Sequence, residues 1–204
     1  MKSNSLVQTV SHPIPPVWNS ESRLLLLGTM PSPASRSAGF FYMHGQNRFW
    51  RVLPAVFGET LAYTNKGFPS KTDSPKTACE KPAYEATKES TNLATAIAER
   101  RNFLLRHHIA LWDVLASCEI EGAADASIKN ARANDFTEIF EKSKIHRVFC
   151  TGKTAFALWQ KHCAERYESR FNLTSECLPS TSPANAAWSV EKLIEAYSIL
   201  QKND

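Results

Sequence analysis

A chain of 204 residues with 43% hydrophobic and 22% charged side chains has apolar material for one sizeable core, and its length points to a single domain over 1–204. Lys and Arg number 24 against 20 Asp and Glu, a net charge of +4, which permits a phosphate-bearing partner without demanding one. The N-terminal MKSNSLVQTVSHPIPP lacks the apolar centre of a signal peptide and no run reaches transmembrane length, so the expectation is a soluble protein of the cytoplasm, or of the nucleus in a eukaryote, that is neither secreted nor bound to a membrane.

Cys79, Cys118, Cys150, Cys163 and Cys177 form no CxxC pair. An odd number without tight spacing favours buried free thiols over a disulfide framework or an iron–sulfur cluster. His107 and His108 are adjacent, and no HxxxH spacing places two imidazoles on one helical face. No metal and no organic cofactor is expected.

In chain order, residues 1–20 read as a flexible leader, with Pro13, Pro15 and Pro16. The apolar run 24–27 reads as a buried strand, ended by Gly28 and Pro31. A loop then carries Ser32, Ser35, Arg36 and Ser37, the aromatic run Phe40, Phe41 and Tyr42, and the polar cluster His44, Gln46, Asn47 and Arg48. A helix over 48–57 has Phe49, Val52, Leu53 and Val56 on one face, and Gly58 is its stop. Residues 59–90, rich in Lys, Thr, Ser and Pro, read as a loop insertion. A helix over 91–107 precedes a second apolar run, 109–115. Residues 118–134 are loop-like. Asp135 and Glu138 form a capping-box-like pair ahead of Phe136, Ile139 and Phe140. A third strand, 145–151, passes through Gly152 into a helix over 153–165, and a fourth ends at Cys177 and Leu178. After the loop 179–185 a closing helix aligns Val190, Leu193, Ile194, Tyr197 and Leu200. Strands alternating with helices predict a three-layer α/β/α domain around a four-stranded parallel sheet.

Several chemistries lose their anchor. Gly152-Lys153-Thr154 ends like a P-loop, but Arg147 stands where that motif needs glycine. GxGxxG, GxSxG and HExxH are absent. Two loops remain, 28–32 (GTMPS) and 179–185 (PSTSPAN). Both follow strands, so a parallel sheet delivers them to one edge. Ser–Pro segments with open backbone N–H groups suit phosphate oxygens, and the aromatic run suits stacking on a nucleobase. Plain Ser/Pro turns with core aromatics are the alternative.

The residues also carry a resemblance. Gly28-Thr29-Met30-Pro31-Ser32, followed by Tyr42-Met43-His44-Gly45-Gln46-Asn47-Arg48-Phe49-Trp50, resembles the first active-site motif of the uracil-DNA glycosylase superfamily, with a spacing similar to its mismatch-specific uracil/thymine branch. LWDVLASC at 111–118 and LPSTSPAN at 178–185 resemble the hypoxanthine-DNA (deoxyinosine) glycosylase branch more closely. The similarity runs from about Ser22 onward, with 59–90 as an insertion.

What the resemblance implies is a monofunctional enzyme, acting as a monomer on double-stranded DNA, that flips out a deaminated base (hypoxanthine, with uracil a second candidate) and hydrolyses its glycosidic bond. Tyr42 aligns with the stacking aromatic. The loop position that orients water in other branches is Met30 here, so Asn47 becomes the expected catalytic residue. It would orient water or bond the base, and a helix N-cap is its structural alternative. Asp113, at a strand end, would accept the N1–H of hypoxanthine, with a buried structural acid as its alternative. Thr29, Met30 and His44 would line the base pocket. Ser32, Ser180 and Ser182 would meet phosphates, with Pro183, Ala184 and Asn185 filling the gap left by the flipped base. Met43 and Gly45, and Ala123-Ala124, depart from that branch in ways that would broaden or shift substrate choice. Other expectations stay open: a G·U and G·T mismatch-specific glycosylase, a catalytically silent nucleic-acid-binding module, and a hydrolase or transferase of small nucleosides.

Overall fold

The computed structural model describes residues 7–62, 83–121 and 125–202. Its strands are β1 (Val7–Ser11), β2 (Leu24–Gly28), β3 (Ile109–Asp113), β4 (Leu115–Glu121), β5 (Lys129–Ala133), β6 (Arg147–Thr151) and β7 (Thr174–Leu178). The helices are α1 (Pro33–Ala38), α2 (Phe49–Val56), α3 (Ala83–Arg106), α4 (Thr137–Lys142), α5 (Lys153–Trp159), α6 (Glu165–Phe171) and α7 (Val190–Tyr197), with a π-helical turn, Gln160–Ala164, joining α5 to α6.

Four strands form a parallel sheet in the order β3-β2-β6-β7. The run Leu24 to Leu27 lies at its centre, and all four leucines are buried. A continuous apolar run is what a parallel strand covered on both faces requires. Alternation divides the leucines between two cores. Leu24 and Leu26 pack with Phe49 and Leu53 of α2, Phe103 of α3 and Leu193 of α7. Leu25 and Leu27 pack with Ile139 of α4, Trp159 of α5 and Tyr167 of α6. Each buried leucine stabilises the fold by about 1.5–3 kcal/mol, and together they fix the three-layer α/β/α order that the sequence predicts.

A second sheet, antiparallel and ordered β1-β4-β5, corrects the expectation for 118–134, most of whose described residues are strand. KNARA, the β5 sequence, has no buried residue, so no apolar alternation marks it. Pairing with β4 holds it instead. The leader is also corrected. From residue 7 it is built into the fold, with β1 pairing antiparallel to β4 from Val7↔Glu121 to Ser11↔Ser117. Val17 makes an antiparallel bridge to Leu111 and is fully buried, and Ile14 is nearly so. The prolines do not prevent this, because an extended edge segment tolerates them.

Helix α3 begins at Ala83, not at 91, so the last part of the expected insertion is helical. The rest of it, over 63–82, lies outside the described residues. Asp135 does not close a capping box with Glu138. Its carboxylate instead accepts the Thr137 N–H at 2.9 Å, one residue ahead of the geometric cap at Phe136.

Candidate active site

Because β2, β3, β6 and β7 run parallel, their C-terminal ends share one edge, and the loops that follow converge there as open α/β folds allow. They enclose a cavity of about 660 Å3. Every candidate residue read from the sequence lines it: Thr29, Met30, Ser32, Tyr42, His44, Asn47, Asp113, Ser180, Ser182, Pro183, Ala184 and Asn185.

The floor of the cavity is built where β2 and β3 end side by side, Gly28 opposite Asp113. A Cβ at Gly28 would stand 2.2 Å from Asp113 Oδ1 and 2.9 Å from the Tyr42 hydroxyl. Only glycine lets those two groups approach the strand end. Asp113 is 4% exposed. Its Oδ2 accepts a hydrogen bond from His12 Nε2 at 2.8 Å. His12 Nδ1 in turn accepts the Ile14 backbone N–H at 3.2 Å. A nitrogen that accepts carries no proton, so this contact leaves Nε2 as the N–H that goes to Asp113. The carboxylate's other oxygen, Oδ1, faces Gly28 and the cavity.

Tyr42 forms one wall, held in the left-handed region at φ 55°. One face of its ring stacks on Phe49, centroids 3.9 Å apart and planes 9° from parallel. The hydroxyls of Tyr42 and Thr151 are 2.7 Å apart. Thr151 donates its own proton to the Leu27 carbonyl, so Tyr42 is the donor between them. Burial, reinforced by the Asp113 charge, holds the Tyr42 pKa well above that of a free phenol. It remains a neutral ring.

Asn47 and Arg48 tie the first loop to the last. Asn47 Oδ1 accepts the Phe49 backbone N–H at 3.0 Å and the Thr181 hydroxyl at 2.9 Å. Two donors on one atom identify it as the oxygen and leave the Nδ2 hydrogens without a partner among the described residues. Arg48, not Asn47, is the geometric N-cap of α2; Asn47 holds the Phe49 N–H from one position ahead of it while lining the cavity. Arg48 donates to four carbonyls, those of Thr181, Ser182, Asn185 and Trp188. Its guanidinium thereby fixes the curvature of 179–188. Asn185 Nδ2 donates to the Ser180 carbonyl, while the Pro183 and Ala184 tip stays exposed. Gly152, at φ 118°, passes under this loop where a Cβ would crowd Ser180.

The opposite rim carries Ser32, which caps α1 by accepting the Ser35 N–H, and His44, whose Nδ1 accepts the Gln46 N–H. Thr29 donates to Asp125 Oδ2 at 3.0 Å. Asp125 opens the short 3-10 turn Asp125–Ser127, reaches solvent at the cavity mouth, and lines the cavity. Partial burial pushes its carboxyl pKa up; the Thr29 hydrogen bond opposes this and the Asp113 charge adds to it. Met30 packs against the apolar cluster below Leu25 and Leu27.

Sequence reasoning missed His12, Asp125 and the clamp made by Arg48. The first lay in an apparent leader and the second among small residues, with nothing local to mark either. Arg48 sat in the polar cluster, but its partners lie more than 130 positions away. Lys153, at the start of α5, is not among the lining residues. Among the described residues no three His, Cys, Asp or Glu side chains converge as a metal would require. No described helix is long and apolar enough to cross a membrane.

Comparison with known proteins places this geometry in a family. Two curated relatives are both named hypoxanthine DNA glycosylase. That of Methanosarcina barkeri is 26% identical over 162 residues, covering 79% of this chain and 83% of the relative. That of Methanosarcina acetivorans is 25% identical over 188 residues, covering 92% and 96%. The solution NMR structure of a candidate uracil DNA glycosylase from M. acetivorans shares the fold, with a TM-score of 0.61 at 24% identity over 96% of this chain and all of that one. The uracil DNA glycosylase superfamily model matches residues 15–201, nearly the whole chain. The protein therefore belongs to the uracil DNA glycosylase superfamily, a family of DNA glycosylases.

Proposed function

We propose that this protein is a monofunctional DNA glycosylase that hydrolyses the glycosidic bond of hypoxanthine flipped out of double-stranded DNA, opening base-excision repair at deaminated adenine. The observation that carries this reading is the pairing of one acceptor with one donor in the cavity. Asp113 Oδ1 is an acceptor beside Gly28, its carboxylate oriented by the His12 hydrogen bond to Oδ2, and Asn47 offers donors because its oxygen is already engaged. Hypoxanthine presents the complement, an N1–H donor beside the O6 acceptor. Adenine presents the reverse pattern, and its N1 lone pair would face a carboxylate. A site whose buried polar groups are left unmatched rejects such an analogue strongly. Uracil shows a similar lactam edge, which makes it the second candidate. Guanine shares the hypoxanthine edge and is held back by the cost of opening an intact pair.

The remaining residues suit this chemistry. The face of Tyr42 away from Phe49 offers a stacking surface, and a cavity of about 660 Å3 suits a nucleobase with part of its sugar. As the bond breaks, negative charge develops on the departing base, and an amide donor already in place at O6 lowers that barrier. In this reading the hydroxyls of Ser32, Ser180 and Ser182 would meet phosphates, and the exposed Pro183 and Ala184, with the half-buried Asn185 behind them, would fill the stack. The absence of Lys153 from the lining residues fits hydrolysis rather than a lyase. No cofactor is required, and a single copy carries the whole site.

The test is direct. The protein is incubated with labelled duplexes holding deoxyinosine, deoxyuridine or a G·T mismatch, and abasic sites are then cleaved with alkali. Strand scission at deoxyinosine is expected. Binding without scission of any duplex would reduce the protein to a silent DNA-binding module, and turnover of free nucleosides alone would move it to another enzyme class.

A further inference from the structure

Hydrolysis needs a group that takes a proton from water, and few atoms in this cavity can. Asn47 Oδ1 already accepts two hydrogen bonds, so it has no capacity for a third donor. His44 Nδ1 is occupied by the Gln46 N–H, so it cannot take a proton from water. The Thr29 hydroxyl spends its proton on Asp125, and the Ser32 hydroxyl is shared with Ser35. Met30 has no such capacity. Two carboxylates remain, Asp113 and Asp125.

Depth separates them. Asp113 lies on the floor, 4% exposed, with one oxygen committed to His12. Asp125 lies at the mouth in contact with solvent. A flipped base enters first and deepest, whereas its sugar stays attached to the duplex and must stop near the mouth. The base edge therefore meets Asp113, and the sugar meets Asp125. Asp125 Oδ2 is anchored by Thr29, while Oδ1 takes no hydrogen bond among the described residues. That is how a carboxylate is placed when one oxygen is held and the other works.

We propose that Asp125 is the catalytic base that activates water, an assignment that rests on the glycosylase reading above. Water lies between Asp125 Oδ1 and C1′. Its oxygen forms the new bond to C1′ as the C1′–N9 bond breaks, and the electrons of that bond leave with the base. The water's proton passes to Asp125. The base departs as an anion hydrogen-bonded at O6 by the Asn47 amide, and takes a proton from solvent, to which Asp125 later returns its own. The sum is one water consumed, with an abasic site and free hypoxanthine formed. The negative charge of Asp125 beside the sugar also favours the cationic character that C1′ acquires on the way. Two carboxylates thus divide the work, one for the leaving base and one for the entering water.

The experiment measures single-turnover cleavage of a deoxyinosine duplex together with duplex affinity. Asp125→Asn keeps an acceptor for the Thr29 hydroxyl and removes the base. Its rate is expected to fall on the order of 100-fold or more, the usual worth of general base catalysis, with affinity unchanged. Asp125→Ala leaves room for a small carboxylate, so added formate is expected to restore part of its rate. A purely structural aspartate would not be rescued in that way. A D125N rate within about three-fold of wild type, a loss matched by an equal loss of affinity, or an unrescued D125A would each overturn the assignment. Failure of the broader reading looks different, since wild type would then cleave no duplex at all.

Discussion

Asn47, in the proposed role, could turn either end of its amide to a ligand, and the backbone selects one. The Phe49 N–H must meet an acceptor, so the oxygen turns inward and the amino group is left for a ligand. Asn47→Asp would keep both inward hydrogen bonds, to Phe49 and Thr181, while removing the donor. Single-turnover cleavage is expected to fall about 10²- to 10³-fold, as for loss of one preorganised donor, with the melting temperature near wild type. A rate for N47D near that of wild type would show that the oxygen, not the amino group, is the working end. His12 acts one step further back. His12→Phe would leave the Asp113 carboxylate buried without its donor, at a cost of about 1–3 kcal/mol, and no longer oriented toward the cavity for the contact proposed with N1–H. His12→Gln can donate to Asp113 and accept from Ile14, so it is expected to recover most of the cleavage that the Phe variant loses. Equal loss in both variants would mean that Asp113 does not depend on that donor. These residues also differ in how they could be read. Asn47 and Asp113 stand beside strand ends in motifs of recognisable spacing. His12 lies 101 positions from Asp113, and no local pattern connects a histidine in a Pro-rich stretch to a carboxylate on a later strand.

Whether an element could be read depended on whether it buries apolar residues of its own. β2, β3 and β6 are apolar over most of their length, and α2 and α7 show an apolar stripe, so each is legible; β7, TSECL, buries only Leu178 and is marked mainly by its apolar end. β4 buries Leu115, Cys118 and Ile120 without a continuous apolar run, and β5 is held by pairing with β4, of which KNARA gives no hint. Helix starts were blurred for a related reason. Asp135, one position ahead of the cap of α4, accepts the Thr137 N–H and at the same time the Tyr167 hydroxyl at 3.0 Å and lies 3.4 Å from Arg166, contacts that tie α4 to α6 across 31 positions or more. The Thr137 side chain and backbone are the main cause of its pKa falling to about 2, opposed by burial and helped by Tyr167 and Arg166. The unfolded value is about 4, so the folded state binds its proton more weakly. The stabilisation is then complete above about pH 4 and is lost as pH falls toward 2. Solvent screening at this exposed carboxylate keeps the effect modest. Asp135→Ala is expected to cost about 1 kcal/mol at pH 7, as for a lost hydrogen bond at a helix start, and to cost much less at pH 2, where the stabilisation by the charged carboxylate is largely gone in the wild type as well. Urea titrations at both pH values measure this, and an equal penalty at each would show that the charge plays no part.

At the scale of the molecule, the two sheets meet at the active site. β3 ends at Asp113 and β4 begins at Leu115, so a single residue, Val114, carries the chain from the parallel sheet to the antiparallel one. The N–H groups of Val114 and Leu115 donate to the carbonyls of Gly28 and Thr29, which locks that step against the end of β2. Asp113 and Asp125 face one cavity because the second sheet returns the chain over the mouth of the first. The N-terminal segment bridges the same seam. β1 pairs with β4, His12 reaches Asp113 and donates its backbone N–H to the Ala116 carbonyl at 2.8 Å, and Val17 pairs with Leu111 on the edge of the parallel sheet. Removing residues 1–17 would therefore take away one strand of the smaller sheet, the edge cover of the larger, and the donor to Asp113. Val10, Ile14 and Val17 are each at most 8% exposed. At about 1.5–3 kcal/mol for each buried side chain, their loss approaches 5 kcal/mol or more, comparable to the whole stability of a typical domain. The truncated chain is expected to lose cooperative thermal unfolding, or to melt at least 10 °C lower as a loss of that size implies, and to cleave no duplex. A truncation that melted and cleaved like the full chain would make the segment an appendage, and His12 would then have no part in the site.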